Sequence, residues 1–282
     1  NQSPSIRIMD IETDFFPFLV RWIEAHGEPR DPESFQKLHV AMRHAPYFAH
    51  RDKRGGFSWE RWRECCRSFD ARGVFEGLAR YETDIPVDAN AVWGDKSPGY
   101  IRHLELLLAH FPDARVIHIV RDVRDYCVSM RKAWGKDIRR AAYLWARDVG
   151  RAHAICSSRP DVCLEVRYES LLRAPSAELA KLCAFLGVEY SDDILRLRKA
   201  SESVGDAKGK AEIVRDNFGK YARRLSRREI RDIESLAFDT MRKLGFTPTC
   251  ATRARSMSAI EQRLRRIKDG VQLFQHDKKK WG

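Results

Sequence analysis

Residues 116–130, VIHIVRDVRDYCVSM, stay almost wholly apolar for five positions, stop at Arg121, turn polar, and place a serine eight positions after the arginine. A run that short, rich in β-branched residues and nearly continuous in apolarity, is what a parallel strand covered on both faces requires, and the strand is expected over 115–120. Asp122 reads as the cap of a helix beginning near residue 123, with Asp125 three positions later in its first turn. Such a turn aims unpaired backbone N–H groups at the edge of the sheet, and together with Arg121 and the helix dipole they would form a seat for an anion. Ser129 falls about two turns along that helix, on the face of Asp122 and Tyr126, where its hydroxyl can support Arg121 around one phosphate. The same spacing also suits a plainer arrangement in which Arg121 pairs with an acid such as Asp125 and Ser129 merely packs.

The strand-then-helix unit recurs on both sides of this stretch. AVWGD (91–95) reads as a strand, followed by Lys96-Ser97-Pro98 and a helical run, YIRHLELLLAHF, closed by Pro112. Upstream, SIRIMDI suits a short strand, and residues 13–25 carry helical spacing through Phe15, Leu19, Trp22 and Ile23. Residues 31–82 read as mainly helical. Downstream come a helix over 138–156, the strand VCLEVRY (162–168) and a helix over 175–186. This alternation predicts an α/β fold of three layers, α/β/α, around a central parallel sheet. Ligands of such folds gather at the carboxyl ends of the strands, where Asp95, Lys96, Arg121 and Tyr168 all fall.

Residues 201–221 break the periodicity with Gly205, Gly209 and Gly219 among basic residues, and read as a flexible basic loop; helix resumes at Ser226. From Ser256 onward, Ile260, Leu264, Ile267, Val271 and Phe274 repeat at 4-3-4-3 spacing, a helical seam that either docks against the domain or forms a homodimer contact. The expected organisation is one domain over 1–250 and a basic amphipathic C-terminal helix or tail over 251–282.

The 282 residues, 43% apolar, can bury a substantial core, and 52 Lys and Arg against 40 Asp and Glu give a net charge of +12. That excess points to an anionic partner without choosing among nucleic acid, an acidic membrane and a phosphate-rich small molecule. The seven cysteines form no C-x-x-C pair, and several sit in apolar runs where a thiol acts as a small hydrophobe, so a reducing, cytoplasmic compartment is expected. No apolar stretch reaches the ~20 residues of a membrane span. No His/Cys cluster has metal-ligand spacing.

FPDARVIHIVRDVRDYCVSM (111–130) resembles the 3′-phosphate-binding segment of sulfotransferases that use 3′-phosphoadenosine 5′-phosphosulfate (PAPS), whose pattern is a strand, an arginine, and a serine eight residues later. Arg121 and Ser129 match it. GDKSPGYI (94–101) resembles the segment before it in bacterial and tyrosylprotein sulfotransferases, which puts Lys96 on the lysine that steadies the transferring sulfuryl group. EVRYESLLRAPSAELAKLCAFLGV resembles the next strand and helix, with Tyr168 on a cofactor-contacting tyrosine. DNFGKYARRLSRREI resembles a later loop, with Lys220 on a phosphate-facing lysine. IETDFFPFL (11–19) resembles the Glu-Thr segment of tyrosylprotein sulfotransferases and puts Glu12 on their proposed catalytic base. The family's phosphosulfate loop, a strand followed by a sequence like R-S-G-T-T, belongs upstream of Glu12 and does not occur in these residues. Because the later segments follow in the expected order, and the chain opens on Asn1, the sequence is expected to be incomplete at that end.

The resemblance implies transfer of a sulfuryl group from PAPS to the hydroxyl of an unidentified acceptor, with adenosine 3′,5′-bisphosphate as product and no metal. Charge then builds on the attacking, leaving and equatorial oxygens, so positioning and electrostatics dominate. Lys96 would neutralise that charge; Glu12 would take the acceptor's proton, a step that typically contributes 10²- to 10⁴-fold. Burial among Ile11, Phe15 and Phe16 would raise the Glu12 pKa for the task; Asp14 and His26 are rival bases. Aromatics at Phe15, Phe16, Trp22, Tyr47, Phe48, Phe57, Trp59 and Trp62 either cover the acceptor or form core. Two other classes compete. A nucleic-acid or polyanion binder, or an inactive relative, rests on the charge and the basic tail; a nucleoside-type kinase would need a G-x-x-x-x-G-K-[ST] loop, which this sequence lacks.

Overall fold

The computed structural model describes residues 6–89, 91–196, 209 and 211–281, with side chains described for all of these except 52–54 and 271–281. The chain divides into two compact units, residues 1–114 and 115–282.

In the first unit the chain order is β1 (Ile6–Ile8), α1 (Phe16–His26), α2 (Pro32–Met42), α3 (Pro46–Arg54), α4 (Trp59–Glu64), α5 (Ala71–Thr83), β2 (Val92–Gly94) and α6 (Leu104–His110), with a 3₁₀ turn over Pro98–Arg102. β1 pairs in parallel with β2, Ile6 opposite Val92 and Ile8 opposite Gly94. The helices start where side chains can satisfy their first N–H groups: Asp31, Ser58 and Asp70 each accept from the backbone three residues on, and Pro32 sits in the first turn of α2. The aromatic residues of this region form the core. Phe16, Phe35, Tyr47, Phe48 and Trp62 are wholly buried, and Trp22, Phe57 and Trp59 pack partly buried against them. The Trp62 indole N–H finds the carbonyl of Val74 at 2.9 Å, so its burial leaves no donor unpaired.

The second unit runs β3 (Val116–Val120), α7 (Val123–Trp134), α8 (Ile138–Ser158), β4 (Cys163–Arg167), α9 (Tyr168–Arg173), α10 (Pro175–Leu186), α11 (Tyr221–Arg224), α12 (Arg227–Lys243) and α13 (Ala259–Trp281). β3 and β4 pair in parallel from Val116 opposite Cys163 to Val120 opposite Arg167. The described strands thus confirm an α/β fold with parallel pairing, as two two-stranded ladders. α12 opens on a full capping box between Ser226 and Glu229 and buries Ile233, Ala237 and Met241. Residues 201–208 and 210 of the loop expected over 201–221 lie outside the described residues.

Two expectations are corrected here. α13 docks through its polar face, not its apolar seam. Arg265 reaches Asp137 at 3.0 Å, Asp269 accepts the Asp137 N–H at 2.7 Å, and Arg140 meets Asp269 at 2.9 Å, because the start of α8 offers charged partners rather than an apolar groove. Burial pushes the Asp137 pKa up, but the Arg140 N–H, Arg265 and Lys268 together outweigh it and hold the carboxyl below its usual range. The seam residues Ile260, Leu264 and Ile267 are left 74%, 62% and 58% exposed; the side chains of Val271 and Phe274 lie outside the described residues.

The second correction concerns the cysteines. Cys156, at the end of α8, and Cys163, opening β4, form a disulfide with Cα atoms 4.9 Å apart, so the lack of a C-x-x-C pair and the apolar setting of several cysteines do not argue for a reducing compartment. The bridge closes a short loop, for which chain entropy gives about 2–3 kcal/mol. Reduction, or Cys156→Ser, is expected to lower stability by that amount in a urea titration. Among the described residues no helix is long and apolar enough to cross a membrane.

Candidate active site

The six residues singled out in the sequence fall into two groups, one in each unit. In the second unit, Arg121 leaves the end of β3 and Tyr168 leaves the end of β4, the two strands being in register at Val120 and Arg167. That register puts the two side chains side by side: the Arg121 guanidinium lies over the Tyr168 ring at 4.7 Å from its centroid. Arg121 Nη1 donates to Ser129 Oγ at 3.2 Å, and Nη2 to the carbonyl of Asn217 at 2.8 Å. Asn217 also donates from Nδ2 to the Tyr168 hydroxyl at 2.9 Å and accepts at Oδ1 from Lys220 Nζ at 2.8 Å. One buried asparagine therefore joins Arg121, Tyr168 and Lys220, and Ser129 closes the group from α7.

The plainer arrangement of Arg121 with Asp125 is not the one adopted. Asp125 instead accepts the backbone N–H groups of Gly219 and, at 2.9 Å, Tyr221, pinning the segment that carries Asn217 and Lys220. Gly219 makes the turn possible, with φ +69°. The anion seat expected from bare N–H groups at the start of α7 is corrected in detail. Asp122 N–H goes to Glu169 and Arg124 N–H to Asp122 itself, so carboxylates already occupy those donors. What stays available for an anion is side-chain chemistry. Arg121 Nε is buried with no hydrogen-bond partner among the described residues, and Ser129 Oγ, which accepts from Arg121, keeps its own O–H to donate.

In the first unit, Glu12 follows β1 and Lys96 follows β2, and their side chains meet as an ion pair. Glu12 is not buried among Phe15 and Phe16 as expected: those rings turn into the core, and the Glu12 side chain is 46% exposed. The perturbed carboxylates are its neighbours. Burial raises the Asp95 pKa from 3.8 to about 6 against the opposing hydrogen bonds from Thr13 and Ser97, and burial first, then the Glu12 charge, raises that of Asp14. Of the rival bases, Asp14 sits at φ +52°, and His26 stacks on Trp22 with Nδ1 2.9 Å from the Trp22 carbonyl. His118 lies on β3, tied to Glu165 at 3.1 Å.

Sequence reading missed Asn217, whose signal was an asparagine just before a glycine turn, and missed Thr13 and Ser97, each next to a residue already singled out.

A family model described as the sulfotransferase family matches residues 2–192. The chain belongs to the sulfotransferase family. The matched span includes Glu12, Lys96, Arg121, Ser129 and Tyr168; Lys220 lies beyond it. This sulfotransferase-family chain is 25% identical over 108 residues to a Caenorhabditis briggsae protein titled "Putative protein-tyrosine sulfotransferase", covering 36% of this chain and 39% of that one. It thus spans well under half the length of the curated relative it matches. In three dimensions it is similar to the sulfotransferase domain from the curacin biosynthetic pathway, with a TM-score of 0.51 and 16% identity over 84% of this chain and 88% of that one, a likeness of fold alone. A sulfotransferase domain from the Synechococcus PCC 7002 olefin synthase aligns over 92% and 83% at 19% identity with a TM-score of 0.41.

Proposed function

We propose that this sulfotransferase-family chain transfers a sulfuryl group from PAPS to a hydroxyl acceptor, holding the donor's 3′-phosphate at Arg121, Ser129 and Lys220. The observation that carries the reading is the convergence of Arg121, Tyr168 and Lys220 on Asn217, with Ser129 bonded to Arg121. The group fits a phosphate for chemical reasons. A buried guanidinium N–H has no partner among the described residues, a hydroxyl has its proton to give, and an ammonium stands beside them. The Tyr168 ring holds the guanidinium plane from one side and so fixes its orientation.

The donor, when bound, supplies a sulfuryl group already activated as a phosphosulfate anhydride. Lys96 contributes a fixed positive charge toward the oxygens on which charge builds, and Glu12 accepts the acceptor's proton. The R-S-G-T-T loop of the family does not occur in these residues, so no residue here is assigned to the 5′-phosphosulfate beyond Lys96.

Calorimetry on the wild-type chain tests the reading. Adenosine 3′,5′-bisphosphate is expected to bind about 100-fold tighter than adenosine 5′-monophosphate, the worth of one phosphate with several charge-assisted bonds. Equal affinities would remove the assigned 3′-phosphate site.

A further inference from the structure

Behind the exposed Glu12–Lys96 pair lies a hydrogen-bond chain with one direction. Phe16 N–H donates to the Tyr100 hydroxyl at 3.1 Å, and the Tyr100 and Thr13 hydroxyls are 2.6 Å apart. Thr13 Oγ1 donates to Asp95 Oδ2 at 2.7 Å, so the proton between the two hydroxyls must come from Tyr100. On the other branch Thr13 N–H donates to Ser97 Oγ at 2.7 Å, and Ser97 Oγ donates to Asp95 Oδ1 at 3.1 Å. Every donor in both branches therefore points toward one carboxylate. Thr13 is wholly buried, and Ser97 and Tyr100 are 9% exposed, so little water reaches these groups to substitute.

Thr13 is bonded in sequence to Glu12, and Asp95 and Ser97 flank Lys96. We infer that Asp95 is a positioning residue: as the terminal acceptor of both branches it locks the Glu12 segment to the Lys96 segment and holds the two side chains against each other. The inference rests on the proposed roles of Glu12 and Lys96 for its meaning in catalysis, but not for its geometry. β1 and β2 are only three residues long each, so the ladder between them ends before either functional residue, and the network continues the pairing where the backbone stops.

The charge state matters because a protonated Asp95 would turn one of its acceptors into a donor facing a donor. Burial raises its pKa to about 6, with Thr13 and Ser97 opposing and the Asp14 and Glu12 charges adding to the rise. Tyr100, also raised by burial, and the Lys96 ammonium next in sequence are the other titratable groups around it. A folded pKa above the ordinary 3.8 means that ionised Asp95 lowers stability as pH rises from about 4 through about 6, a cost that the neutral isostere Asp95→Asn does not carry. An amide, however, must turn an NH₂ toward either Thr13 Oγ1 or Ser97 Oγ, which reverses one branch.

Site-resolved acylation of Lys96 by an N-hydroxysuccinimidyl ester, read by peptide mass spectrometry, measures the hold directly. Asp95→Asn is expected to raise the Lys96 rate about threefold while lysines elsewhere keep theirs; Glu12→Gln raises it similarly, and the double variant is no faster than either single one. Thr13→Val, which breaks the same chain without touching the carboxylate, moves it in the same direction. An unchanged Lys96 rate in Asp95→Asn, or a rate that rises additively with Glu12→Gln, overturns the inference. A second measurement separates it from the catalytic reading: turnover of PAPS with 4-nitrophenol as probe acceptor. Asp95→Asn is expected to lower kcat about tenfold, to leave the KM for PAPS unchanged and to remove the acid limb near pH 6. If Glu12→Gln leaves turnover intact, the role of Glu12 as base fails, and the labelling result still decides whether Asp95 positions the pair.

Discussion

Replacing Glu234 by alanine is expected to destabilise the second unit by about 3–5 kcal/mol, a loss large enough to threaten folding near body temperature. Glu234 is wholly buried in α12, and five donors converge on it. Arg124 Nη1 reaches Oε1 at 2.7 Å, as do the Thr249 N–H and hydroxyl at 2.8 and 2.9 Å, while the Cys250 and Ala251 N–H groups reach Oε2 at 2.6 and 2.8 Å. The carboxylate thus stitches the strand-end helix α7, the helix α12 and the segment leading to α13 into one body, across the boundary expected near residue 250. Alanine would strand three backbone donors and half of the guanidinium's pairing, leaving Arg124 with Asp122, the Thr247 carbonyl and the Tyr221 ring. Burial alone would push the Glu234 pKa up, but the N–H groups of Thr249, Cys250 and Ala251 and the Thr249 hydroxyl outweigh it and leave it lowered. A lowered folded pKa contributes stability that is fully present above about 4.5 and is lost as pH falls through the folded value. Urea titrations should therefore show the Glu234→Ala deficit at pH 7 and a smaller one at pH 3. A deficit below about 1 kcal/mol at pH 7 would contradict this account.

What could be read from the sequence follows from how local each signal is. The strand expected over 115–120, found at Val116–Val120, and the helix from 123 were legible because apolar run, cap and polar turn all lie close together in sequence. The grouping of Arg121 with Ser129 was legible for the same reason, since helical geometry fixes their spacing. Lys220 was placed only by resemblance, because its approach to Arg121 depends on Asp125 holding a segment almost a hundred residues away. The burial expected of Glu12 was misread: Phe15 and Phe16 are its neighbours in sequence, but α1 begins at Phe16 and carries both rings into the core. The docking face of α13 was misread because apolar spacing says which residues are sticky and not what the opposing surface offers; Asp137 and Arg140 decided it. Asp95 drew notice only as a strand-end residue, since a donor chain has no spacing rule to betray it.

Arg121→Ala is expected to weaken binding of adenosine 3′,5′-bisphosphate about 100-fold or more, close to 3 kcal/mol. A charged hydrogen bond is worth about 1.5–3 kcal/mol, and the variant removes a buried donor together with the charge that offsets the phosphate. It also removes the plane between Tyr168 and Ser129, so that both lose the partner that orients them. Arg121→Lys separates the two contributions: it keeps the positive charge but loses the fork and the stacking, and should recover about a tenth of the wild-type affinity. Binding of adenosine 5′-monophosphate serves as the control, because it lacks the phosphate that Arg121 is assigned to hold and should change by less than threefold in either variant. Folding must be followed alongside, since Arg121 also donates to the Asn217 carbonyl and so helps seat Lys220. A melting curve close to wild type with a collapsed affinity locates the loss in the ligand contact. Retained affinity in Arg121→Ala would instead make the cluster around Asn217 a structural clasp between β3, β4 and the following loop, and would leave the sulfuryl donor's ribose phosphate without an assigned partner.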